Sequence, residues 1–215
     1  MKSRLIPALG ADGAARLADA FINDLLTRLA RELAPDVGLT VCFDPPGAAE
    51  YFRELAARLA PQRSIEIRAQ SAGDLGERLA AARADFMRGP AAFVGADAPD
   101  ISRGEIEQAL AHARAGRAYI QRAHDGGYVL LALPETAPPD VFRGIRWSAP
   151  TTAAEQTARI RESGIAIVES ADAWWDIDES ADLAPLRERL ERIPEIAPET
   201  LSVLRILKAY FSRPF

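Results

Sequence analysis

The stretch Ala91-Ala92-Phe93-Val94-Gly95-Ala96-Asp97-Ala98-Pro99-Asp100 constrains this chain more than any other. Its apolar residues run without alternation, the pattern of a strand covered on both faces. Gly95 and Pro99 stop the run, so Asp97 and Asp100 stand at the carboxyl end of an interior strand. Ligands bind at that edge of open α/β sheets. Two carboxylates there can hold a hard cation through oxygen, and the cation can hold a diphosphate. A capped turn would use the same residues.

The flanking sequence alternates between helical and extended periods. Leu17, Phe21, Leu25 and Leu29 recur every four residues and predict a helix over 12–34. Strands are expected at 38–43, 64–68, 91–95, 117–122, 128–133 and 165–168, with a short extended piece at 174–178. Helices are expected at 47–60, 74–87, from Ser102 to about residue 115, and at 151–163, 179–192 and 199–212. This order predicts a layered α/β sheet protein with Val94 and Ile167 in buried strands. No linker divides it, so residues 1–215 are read as one domain.

Acidic residues outnumber basic ones, 31 to 26, for a net charge of −5. No basic excess exists to neutralise phosphates, which argues against a nucleic-acid partner. Cys42 is the only cysteine, which excludes a disulfide framework and reads as a small core residue. No apolar run approaches membrane-spanning length, and the first residues lack a signal-peptide pattern. The default expectation is a cytoplasmic protein with no membrane partner.

Three further segments carry chemistry-capable groups. In His124-Asp125-Gly126-Gly127-Tyr128, two glycines permit close backbone approach to a ligand or form a tight hairpin turn. Alternation puts Asp176 and Asp178 on one side of an extended piece, where they complete a metal site, or Asp178 caps the next helix. Gln70-Ser71-Ala72-Gly73-Asp74-Leu75-Gly76 lies between strand and helix, where nucleotide loops sit, without Walker or dinucleotide spacing. His112 is expected to face solvent, and His124 adjoins Asp125 as a general base would.

Several segments, taken in order, resemble the DUF2064 family, glycosyltransferase-like proteins related to nucleotide-diphospho-sugar transferases of GT-A fold. They are Lys2 to Gly10; Gln70 with Gly73 to Arg78; Gly95 to Asp100; Asp125 to Tyr128; Phe142 to Ser148; and Asp176 to Asp178 with Asp182-Leu183. The resemblance implies a Rossmann-like, GT-A-type three-layer sandwich around a mostly parallel mixed sheet. It implies transfer of a sugar from a nucleotide-sugar donor to a small acceptor. The alternatives are a nucleotidyltransferase using a nucleoside triphosphate on a small phosphorylated metabolite, or a non-catalytic binding protein.

The resemblance also assigns roles. Asp97 matches the metal-proximal acid and, with Asp125, a catalytic position. Asp176 and Asp178 match the later acidic pair, so Asp97, Asp176 and Asp178 would hold Mg or Mn. Gln70, Gly73, Asp74, Gly76 and Arg78 match the loop near base and ribose, and Lys2 and Arg4 the basic pair closing the diphosphate loop. Gly126, Gly127, Tyr128 and Trp147 complete the substrate wall. Relative to the family, the first strand and its glycine-bearing loop are absent before Lys2. The gap is expected to close by direct pairing of 38–43 with 91–95, with Lys2 and Arg4 on a loose arm. A strand donated by another segment or in a homodimer is the alternative.

Overall fold

The computed structural model describes residues 3–85 and 88–211. Helices and strands alternate as the apolar spacing requires: α1 (Ile6–Glu32), β1 (Leu39–Phe43), α2 (Ala49–Leu59), β2 (Ile65–Ala69), α3 (Leu75–Asp85), β3 (Ala91–Val94), α4 (Arg103–Arg114), β4 (Ala118–Arg122), β5 (Tyr128–Leu133), α5 (Thr152–Glu162), β6 (Ile167–Glu169), α6 (Leu183–Arg192) and α7 (Pro198–Phe211). The helix ends expected at 87 and 212 fall outside the described residues. α1 begins at Ile6 rather than residue 12. Two helical segments meet within that span at Gly10, whose φ of 71° and ψ of 166° are not helical: a short one with a proline in its first turn, and the long one after Gly10, which is the helix expected from residue 12. Ser102 caps α4 as expected, its hydroxyl accepting from the Glu105 N–H at 3.1 Å.

The strands form two sheets. β1 and β2 pair in parallel, and a four-stranded sheet runs β3-β5-β4-β6, with β5 antiparallel to both neighbours and β4 parallel to β6. β5 shows the strand period of two in its packing. Leu130 and Ala132 point to a cluster with Leu25 of α1, Leu33 just past its end, and Ile106 and Leu110 of α4. Leu131 and Leu133 point to the other face, against Phe142 and Ile160. A third cluster joins Leu17 and Phe21 of α1 to Leu186, Leu190, Leu201 and Leu204 of α6 and α7, enclosing Ile177. Arg63 closes the end of α1. Its guanidinium donates to the carbonyls of Ala30, Leu33 and Ala34 at 3.0, 2.8 and 3.0 Å, and to that of Val37. These are carbonyls that a helix end otherwise leaves without donors.

Three expectations are corrected. Val94, Ile167 and Cys42 are half-buried, because β3, β6 and β1 each have an edge with no strand beside it among the described residues. Residues 38–43 do not pair with 91–95. The β1 and β3 edges instead line a cleft of about 1920 Å³ with Leu39, Val41, Ala92 and Phe93 on its walls. Direct pairing was expected because buried unpaired backbone groups are costly, but water reaches these half-exposed strands and that cost does not arise. The segment from residue 3 is not a loose arm. Ser3–Leu5 forms a 3₁₀ turn, and Leu5 is fully buried.

Hydrogen exchange checks this arrangement. Amides of β1 and β3 should exchange faster than those of β4 and β5, which are paired on both sides. Equal protection in all four strands would mean that the cleft edges are covered.

Candidate functional site

Asp125 follows β4 in the turn that leads to β5. Its carboxylate accepts from the Gly127 N–H at 2.7 Å, while the Ala123 N–H donates to the Gly127 carbonyl at 2.8 Å. Gly126 is required here: its φ is 92°, and a Cβ would lie 2.1 Å from the Pro150 carbonyl oxygen. The Ala153 N–H at the start of α5 donates to the Gly126 carbonyl at 2.9 Å, which locks the turn against α5.

The segment before α6 supplies Asp176 and Asp178. It is tied to the β4 end by the Trp174 N–H donating to the Arg122 carbonyl at 2.6 Å and the His124 N–H donating to the Trp174 carbonyl at 3.0 Å. One carboxylate oxygen from each of Asp125, Asp176 and Asp178 lies within 4.8 Å of the others. The expected alternation of Asp176 and Asp178 is met in effect, since Ile177 between them is fully buried. Burial, then the nearby Asp125 carboxylate, pushes Asp176 up to about 6. Arg4 reaches this cluster, its guanidinium 3.6 Å from Asp178. Lys2 lies outside the described residues.

Asp97 stands beside the triad. Its backbone carbonyl accepts from the Ile177 N–H at 3.1 Å, and it lines the large cleft with Asp125 and Asp176. The three-carboxylate group is completed by Asp125, to which a catalytic role was assigned. Its position one residue before a double glycine is the signal that it projects from a turn. Asp100, read as a partner of Asp97, turns inward and is 6% exposed.

The loop after β2 is held by its own residues. Gln70 donates its side-chain amide to the Cys42 carbonyl at 3.1 Å. Arg78 donates to the Gln70 side-chain oxygen at 3.2 Å, to the Gly73 carbonyl at 2.9 Å and to Asp44 at 3.3 Å. Asp74 accepts from the Glu77 N–H at 2.9 Å and Glu77 accepts from the Asp74 N–H at 2.8 Å, a reciprocal cap on α3. Gly73 has a φ of 113°, which suits glycine alone in that cap. Gly76 lets the Phe142 carbonyl and Trp147 indole approach: a Cβ would meet both at 2.7 Å. Trp147 faces Tyr128 edge-on, centroids 6.4 Å apart, and the Tyr128 hydroxyl donates to Gln156 at 3.2 Å. Gln70, Arg78, Gly127, Tyr128 and Trp147 thus share the cleft with Asp97, Asp125 and Asp176.

The histidines lie aside from this chemistry. His112 stacks on Tyr119 at 5.4 Å rather than standing free in solvent. His124 is exposed and its ring lies 3.9 Å from that of Trp175. Among the described residues, no helix is long and apolar enough to cross a membrane.

A family model described as "Uncharacterized protein conserved in bacteria (DUF2064)" matches residues 25–149. The crystal structure of a "putative nucleotide-diphospho-sugar transferase" from Desulfovibrio desulfuricans G20 superposes with a TM-score of 0.83 at 31% identity. The match covers 97% of this chain and 89% of that one. No curated protein matches the chain.

Two outcomes follow from the geometry. Gly126→Ala should lower the thermal midpoint and cost about 1–3 kcal/mol from the left-handed backbone alone, plus the Pro150 clash. Asp176→Asn should change the pH dependence of stability. Its folded value of about 6 exceeds the ordinary 3.8, so the folded state holds the proton more tightly. Stability without cation therefore falls as pH rises from about 4 to about 6 and stays lower above. Thermal midpoints across that range should show a shallower fall in the variant and a higher midpoint at neutral pH.

Proposed function

The chain belongs to the DUF2064 family, and from that premise we propose that it is a divalent-cation-dependent transferase, moving a sugar from a nucleotide-sugar donor to a small acceptor. One observation carries this reading: three carboxylates converge within 4.8 Å, and two of them, Asp125 and Asp176, line a cleft that also holds Gln70 and Arg78.

The donor set fits a hard cation, being oxygen alone. Asp176 supports the fit, because its charge is disfavoured by burial and by Asp125 until a cation balances it. Asp125, Asp176 and Asp178 would hold the ion, with Asp97 beside them. A bound Mg or Mn supplies electrostatic stabilisation for a departing nucleoside diphosphate. Arg4 adds a second positive group at the cluster's edge. Gln70 and Arg78, already fixed to the ends of β1 and α3, present polar groups to base and ribose. Gly126 and Gly127 keep the turn low, so that a substrate can lie between it and the Tyr128–Trp147 wall.

The test measures thermal midpoints of the full chain with nucleotide sugars, with and without Mn²⁺. A nucleotide sugar should raise the midpoint only when the cation is present, by the equivalent of about 2.7 kcal/mol at a hundredfold excess over Kd. Asp176→Asn and Asp125→Asn should each abolish that shift. With an acceptor present, release of nucleoside diphosphate from the nucleotide sugar would support sugar transfer, whereas release of pyrophosphate from a nucleoside triphosphate supplied with a phosphorylated metabolite would make the chain a nucleotidyltransferase. Absence of any cation-dependent nucleotide binding overturns the proposal.

A further inference from the structure

Asp100 has the neighbours of a site residue and the surroundings of a structural one. Its side chain is 7% exposed, and Oδ2 accepts from the Arg189 Nε at 2.9 Å. Oδ1 accepts from the Trp174 indole N–H at 3.3 Å. From the other side Arg28, 4% exposed, donates Nη2 to the Pro99 carbonyl at 2.9 Å and Nη1 to the Ile101 carbonyl. One short loop thus gathers charges from α1 and α6. Burying Asp100 and Arg28, with Arg189 half-buried beside them, is a poor way to gain stability alone. Here the satisfaction is also incomplete, since the Arg28 Nε and an Arg189 terminal nitrogen are buried without hydrogen-bond partners.

What the network does achieve is registration. The loop 97–100 meets the segment 174–177 twice, through the Ile177 N–H on the Asp97 carbonyl and through Trp174 on Asp100. Trp174 is also the residue that bonds the β4 end on both its N–H and its carbonyl. Trp174 therefore links the strand end that leads into Asp125 to the segment that carries Asp176 and Asp178, and its indole N–H donates to Asp100.

We propose that Asp100 is a positioning residue: with Arg189 and Trp174 it sets the spacing of the three carboxylates, and so the cation affinity of a cluster it does not touch. This rests on the reading of Asp125, Asp176 and Asp178 as a cation site. Asp100→Asn keeps an oxygen for the indole and removes the charge facing Arg189. Trp174→Phe keeps the ion pair and removes the indole bond. Arg189→Lys keeps a cation facing Asp100, and Arg189→Met does not.

The experiment is a Mn²⁺ titration of the full chain followed by electron paramagnetic resonance, well below each variant's thermal midpoint. Asp100→Asn, Trp174→Phe and Arg189→Met should each weaken Mn²⁺ binding by about tenfold or more, the size of effect typical of groups that orient metal ligands. Each should also alter the bound-Mn²⁺ line shape, and Arg189→Lys should retain most of the affinity. A purely structural role would lower midpoints while leaving affinity and line shape at wild-type values, which overturns the proposal. If Asp100→Asn does not fold, Trp174→Phe and the Arg189 pair decide the question by the same readouts. A folded wild-type chain that binds no Mn²⁺ overturns the cation site itself, and the proposal with it. That outcome is distinct from wild-type binding that the variants leave unchanged.

Discussion

Arginine donors on backbone carbonyls hold the irregular parts of this protein in place. Lys2 and Lys208 aside, its 26 Lys and Arg residues are all arginine. A guanidinium offers five N–H donors in a rigid fork, so one side chain can satisfy several carbonyls that a turn leaves open. Arg63 does so at the end of α1 and thereby sets where β1 begins. Arg83 gathers the carbonyls of Gly89, Pro134, Glu135 and Ala137, joining the approach to β3 to the exit from β5. Arg28 does the same under the loop that follows β3. Desolvation lowers Arg28 and Arg83 from their usual values. Each still keeps its charge near neutral pH, because an arginine starts so high.

These anchors matter because the site is built from turns. Asp97, Asp125, Asp176 and Asp178 all lie outside regular strands or helices. Loops take and keep functional geometry only where a scaffold fixes them. The carboxylates repel one another, and burial adds to the cost at Asp176. A site of this kind stays destabilised until a counter-charge arrives, and the backbone bonds to Trp174 and Ile177 hold it against that strain.

The sequence made the element order readable because packing repeats at short range. The four-residue period of α1, the Ser102 cap and the Asp125-Gly126 turn are local signals, and all three appear in the structure. Burial at sheet edges was not readable. Val94 and Ile167 have the composition of interior strands, and they are half-exposed because no strand lies beside β3 and β6 on one edge among the described residues. Direction was not readable either. Asp97 and Asp100 are the same residue type three positions apart, yet one lines the cleft and the other meets Arg189 and Trp174, whose partnership spans 74 to 89 residues. Asp74, assigned to the nucleotide loop by resemblance, has its carboxylate in a cap on α3, a contact its residue type alone did not announce.

The cleft between β1 and β3 shows how solvent decides what such edges cost. A strand edge enclosed in apolar surroundings must be paired, because each unmet N–H or C=O loses its bond to water and gains none. At an edge open to solvent the same groups keep water as partner, and the cost falls on the apolar side chains instead. Leu39, Val41, Ala92 and Phe93 carry that exposure here. With about 1920 Å³ the cleft exceeds the roughly 300–1,000 Å³ of ordinary ligand pockets. Polar groups crowd its carboxylate end, at Asp97, Asp125 and Asp176, while the strand walls are apolar. The cleft is therefore acidic at one end and apolar along the strands.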